Sequence, residues 1–136
     1  IPTDPRDTIC RRMNWAFAVL EIDVSNIPWA MLFACTKKLP LMVAAAWMKS
    51  ILNSWPTSSR FHEATQAQCL FGCGGPDKVV HYLECHVLGE ILQKCFGRPA
   101  PSAAELLGVT SPRTENIIGV YVLYRLYTLQ KFDTSS

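Results

Sequence analysis

Four side chains in one short stretch carry the clearest chemistry of this chain: Cys69, Cys73, His81 and Cys85. Their spacing is C-x3-C-x7-H-x3-C. Thiolate sulfur and neutral imidazole nitrogen are the usual ligands of zinc, which takes four of them in a tetrahedron. The segment Cys69-Leu70-Phe71-Gly72-Cys73-Gly74-Gly75-Pro76 is rich in glycine, so it turns tightly and can aim two thiolates at one point. His81 and Cys85 are four apart and share a face if they lie on one helix. The set therefore predicts one structural Zn2+ ion, since four protein ligands leave no open position for a reacting water. The alternative is a group of buried thiols beside a surface histidine. His62 and His86 are further imidazoles near the set, read as solvent-facing or supporting groups. Cys10, Cys35 and Cys95 are read as buried thiols.

No other constellation points to catalysis. The aspartates stand at 4, 7, 23, 77 and 133, none adjacent to another, so a paired-carboxylate metal site is not written here. No P-loop, HExxH or G-x-S-x-G motif occurs. The expectation is a protein that is not an enzyme.

The elements that must position the four ligands read as helices. Residues 1–8 hold two prolines and two aspartates and read as an extended arm. Helical periodicity or capping residues mark residues 9–21, 27–36, 40–55, 78–96, 102–108 and 111–132. Ser25 or Asn26 is a candidate cap for the second, and Asp77 for the fourth. Ser102 with Glu105 reads as a capping box, closed by Gly108. The fold expected is mostly α: a small helical domain with a zinc knuckle followed by a helix. The whole of 1–136 reads as a single domain. It divides into the arm, a helical part over 9–55, the knuckle and its helix over 56–97, and C-terminal helices over 98–136.

Composition bounds the rest. The chain has 136 residues, 49 % apolar and 18 % charged, enough apolar surface to build a core. Thirteen basic and eleven acidic residues leave a net charge of +2, too small to signal a nucleic-acid binder by itself. The longest apolar runs are broken by Lys37-Lys38, Pro40 or Arg125, so no transmembrane segment is expected. Six cysteines with clustered ligand spacing favour a reducing intracellular compartment over a disulfide scaffold. The first residue is Ile1, compatible with an excerpt of a longer protein or a processed product.

The residues Trp55-x-Thr57-Ser58-x-Arg60-Phe61-His62, then Cys69-x3-Cys73, then His81-Tyr82-x2-Cys85, carry a resemblance. This stretch resembles the zinc-binding region C-terminal to the polymerase domain of non-LTR retrotransposon reverse transcriptases. It is most similar to that of dinoflagellate retroelement-like open reading frames. The likeness covers residues 40–96, and the C-terminal helix more loosely. The family pattern has two residues between the first cysteines and four between the histidine and the last cysteine; here both gaps are three. The resemblance implies zinc on Cys69, Cys73, His81 and Cys85, and a role in holding RNA or DNA, with the polymerase itself absent.

Two functions follow as expectations. One is a zinc-stapled module that binds RNA or single-stranded DNA, with Arg11, Arg12, Lys37, Lys38 and Arg60 as candidate contacts. The other is an accessory subunit of a larger assembly, made from such a fragment and binding no nucleic acid. Residues 117–129 are apolar nearly all round, so this helix is expected to be central or covered by a protein partner. Tyr121, Tyr124 and Tyr127 are its candidate interface residues. The four tryptophans are read as core.

Overall fold

The computed structural model describes residues 4–61, 64–65 and 67–133. Among these the chain forms seven α-helices: α1 (Pro5–Ala16), α2 (Trp29–Lys37), α3 (Leu41–Ile51), α4 (Val79–Tyr82), α5 (His86–Phe96), α6 (Ala103–Leu107) and α7 (Thr114–Phe132). Two short 3-10 turns, Ala18–Leu20 and Val24–Asn26, link α1 to α2. The mostly helical expectation is met, and the only strand-like pairing among the described residues is a single antiparallel bridge, Gln68 to Pro76.

Several boundaries differ from the sequence reading, each for a local reason. The expected arm is helical from Pro5. Asp4 caps α1 by accepting the Arg6 N–H at 2.9 Å, and proline fits a first helical turn. Asp23 rather than Ser25 or Asn26 is the capping side chain before α2, and it caps the 3-10 turn by accepting the Ser25 N–H at 3.1 Å. The capping box of α6 is present: Ser102 Oγ accepts from Glu105 N at 3.2 Å and Glu105 Oε1 from Ser102 N at 3.1 Å. The expected helix over 78–96 is two helices, broken at Leu83–Cys85.

The centre of the core is α7, packed against α3 and α6. Ile117, Val120, Leu123 and Tyr127 lie at helical spacing and are buried. Gly119 lets neighbours close in: a Cβ there would stand 3.0 Å from Phe96 Cζ and 3.2 Å from Leu106 Cδ2. Burial is one-sided, however. Ile118 and Leu129 are exposed despite their apolar side chains, as is Arg125. Trp47 ties α3 to the end of α6 by donating its indole N–H to the Leu107 carbonyl at 2.9 Å. Trp47 and Trp55 are fully buried, as expected of large aromatics. Trp15 corrects that reading, being 62 % exposed on the outer face of α1, and Trp29 is half-buried.

Candidate metal centre

The knuckle is built by backbone pairing. Cys69 N donates to the Gly75 carbonyl at 2.8 Å and Asp77 N to the Ala67 carbonyl at 3.1 Å, closing the turn between them. Gly72 and Gly74 hold φ of 76° and 86°, left-handed conformations that favour glycine. The turned chain then points its own amides at the sulfurs. Phe71 N donates to Cys69 Sγ and Gly75 N to Cys73 Sγ, each at 3.4 Å.

The second pair of ligands comes from the broken helix. His81 sits on α4, and Cys85 is the N-cap of α5 with extended backbone. The expectation that a continuous helix aligns them is corrected: the turn after Tyr82 brings Cys85 in. The result is convergence of all four. Their ligand atoms lie within 4.8 Å of one another. Cys69 Sγ and Cys85 Sγ are 3.9 Å apart, and Cys73 Sγ and His81 Nε2 are 3.0 Å apart. Two sulfurs each about 2.3 Å from a tetrahedral centre stand about 3.8 Å apart. The sulfur pair fits that edge, so this group can hold a metal ion.

Electrostatics supports the donor set. Burial pushes the Cys69 thiol up to about 11. The Gly75 N–H lowers the Cys73 thiol, because it favours the thiolate. Burial lowers His81, which keeps its imidazole neutral and able to donate a lone pair. A coordinated cation reverses the burial effect on Cys69, since a metal-bound thiol is deprotonated outright.

Behind the ligands lies a network that sequence reasoning missed. Asp77 does not cap α4. It is buried, accepts the Ser58 N–H at 2.9 Å, and takes a short hydrogen bond from the Tyr82 hydroxyl. That hydroxyl also accepts from Leu70 N at 3.2 Å, and Ser58 Oγ accepts from Ala67 N at 2.9 Å. Both sides of the knuckle are thus fastened to Ser58. Gly75 is the other omission. A Cβ on it would fall 2.3–2.8 Å from the His81 ring, so only glycine allows the imidazole this close. The signals lie in the sequence: Ser58 and Tyr82 belong to the resembling stretch, and Gly75 to the turn.

The remaining candidate residues are dispersed. Arg11 and Arg12 are exposed on α1, and Arg12 Nη2 reaches Ser54 Oγ at 3.4 Å. Arg60 lies over the Phe61 ring at 4.9 Å, on the segment that carries Ser54. Lys37 and Lys38 are exposed at the end of α2. Tyr127 is corrected as an interface residue, because it is fully buried and donates to the Pro56 carbonyl at 3.0 Å. Tyr124 is half-buried and accepts from Lys49 at 3.3 Å, and Tyr121 is half-buried with its hydroxyl 3.3 Å from Met42 Sδ. Cys95 is exposed, and Cys10 and Cys35 are half-buried, so none of the three is the buried thiol expected. All six cysteines are free thiols. His86 is exposed, as read; His62 lies outside the described residues.

Comparison with protein-family models, with curated proteins and with solved structures finds no match for this chain. The likeness to reverse-transcriptase tails accordingly stands on the quoted residues alone. No helix among the described residues is long and apolar enough to cross a membrane.

Proposed function

We propose that the chain is a non-catalytic module, stapled by one Zn2+ ion on Cys69, Cys73, His81 and Cys85, that binds RNA or single-stranded DNA. The observation that carries this reading is the convergence, among the described residues, of four ligand atoms within 4.8 Å. Four protein ligands close a tetrahedral zinc, whereas catalytic zinc keeps a position open for water or substrate. The nucleic-acid half rests on the sequence resemblance to retroelement reverse-transcriptase tails. The exposed Arg11, Arg12, Lys37 and Lys38 and the Arg60–Phe61 stack support it.

The test has two readouts on the purified chain. Elemental analysis should find one zinc per chain. Fluorescence anisotropy with a labelled single-stranded RNA should show binding that weakens steeply between about 50 and 200 mM salt, as counterion release requires. No binding at the low-salt end overturns the nucleic-acid half. A zinc-free native protein overturns the staple. A second reading, an accessory subunit without nucleic-acid binding, draws on exposed apolar residues: Leu41 is 85 % exposed and Met42 63 %. Native mass spectrometry showing a stoichiometric protein partner, with no RNA binding, would favour it.

A further inference from the structure

The strap from Ser54 to Phe61 connects α3 to the knuckle. Its Trp55 points inward, stacked on Tyr82 at 5.9 Å and beside Tyr127 at 5.1 Å. Cations from separate elements bond to it or to side chains packed on it. Arg12 of α1 donates to Ser54 Oγ at 3.4 Å. Lys131 of α7 donates to the Pro56 carbonyl. Lys49 of α3 donates to Tyr124, whose ring lies 5.5 Å from Trp55, and the Lys49 carbonyl accepts Ser54 N at 2.7 Å. Arg60 belongs to the strap and lies over Phe61, whose side chain is 55 % exposed.

Among the described residues these four cations meet neutral oxygens or rings. The ion pairs among the described residues are Arg6–Asp4, Arg98–Glu115 and Arg113–Glu115, and none involves the strap. Asp77, the acid packed under the strap, is occupied by Ser58 N and Tyr82. Among the described residues these four cations outnumber the one acid, Asp77, that bonds to the strap.

Cations alone would suit any polyanion; the exposed ring decides among them. Base stacking on an aromatic flanked by phosphate-binding cations is the general device for single-stranded nucleic acid. An acidic peptide offers no flat ring at every unit to stack there, whereas single-stranded nucleic acid does. We propose that single-stranded nucleic acid lies along the strap, with phosphates on Arg12, Lys49, Arg60 and Lys131 and a base on Phe61. This rests on the nucleic-acid reading above and assigns its surface.

The experiment uses the full zinc-loaded chain and a labelled oligouridine RNA, read by anisotropy over a salt series. Variants are accepted on unchanged zinc content and circular dichroism. The pair Arg12→Gln with Lys49→Gln, both exposed in the wild type, should lower the slope of log affinity against log salt by about 1.4, at about 0.7 per phosphate contact. Phe61→Ala should weaken binding about fivefold or more with the slope unchanged, and Phe61→Tyr should restore it. Lys94→Gln, at an exposed lysine of α5 away from the strap, should change neither quantity. If binding is instead lost in Lys37→Gln with Lys38→Gln and insensitive to the strap, the strap assignment is overturned while the nucleic-acid reading stands. If the wild type binds no RNA, that reading itself fails. If poly-glutamate binds as tightly as RNA and Phe61→Ala affects neither, the surface serves an acidic protein and the proposal is overturned.

Discussion

At the scale of the residue, two kinds of side chain shape the candidate metal centre: those that can donate and those that make room. Serine at position 69, 73 or 85 removes one sulfur from a closed set of four, so each variant should lose stoichiometric zinc. Cys10→Ser and Cys95→Ser should retain it, because neither sulfur approaches the cluster. Cobalt substitution read by its thiolate charge-transfer band checks both statements. Gly75→Ala is the sharper test. The added methyl collides with the His81 ring at 2.3–2.8 Å, so the imidazole must swing away from Cys73. Disturbing the groups that orient a metal ligand costs about 10–100-fold in affinity. Chelator competition should register a loss in that range, and wild-type affinity in Gly75→Ala would contradict the packing argument.

At the scale of the element, the knuckle is held from behind by Asp77 and Tyr82, and the proposed zinc would hold it from the front. Tyr82→Phe keeps the ring between Trp55 and Tyr127 but removes the hydroxyl that serves Asp77 and Leu70 N. Leaving buried partners unsatisfied costs about 1–3 kcal/mol, and urea unfolding should show a loss of that size. Chelation acts on the same element from the other side. Metal binding to such a site contributes folding free energy, so zinc removal should loosen residues 67–85 before the helices of the core. Hydrogen exchange followed during chelation should show the knuckle amides opening while Ile117–Leu123 stay protected. Simultaneous opening of both would mean that the knuckle and α7 form one cooperative unit.

At the scale of the whole molecule, α7 organises the core and the aromatic cluster joins that core to the candidate metal centre. Trp55, Tyr82 and Tyr127 touch one another, with ring centroids 4.9–5.9 Å apart. They link the strap, α4 and α7. Leu123→Ala removes a side chain that is 1 % exposed and should cost about 2–5 kcal/mol, measurable by thermal or denaturant unfolding. Leu129→Ala, at a position 55 % exposed near the end of the same helix, should change stability far less. Equal effects would show that something covers the outer face of α7. The contrast matters because composition alone treats the two leucines alike.

What the sequence determined by itself was chemistry and local geometry. Ligand type and spacing named Cys69, Cys73, His81 and Cys85, and glycines marked the turn that carries the first two. Ser102, Glu105 and Gly108 delimited α6, since capping depends on neighbours within a few residues. Tertiary structure decided the rest. The apolar pattern of α7 is nearly uniform, so nothing local distinguishes buried Tyr127 from half-buried Tyr121; only the packing of α3 and α6 selects the face. Asp77 reads as a helix cap until Ser58, nineteen residues earlier, offers its N–H at 2.9 Å. The gathering of Arg12, Lys49, Arg60 and Lys131 around one strap is likewise invisible along the chain. A partner within one turn can be read from sequence, whereas contacts between distant segments exist only after the core has brought those segments together.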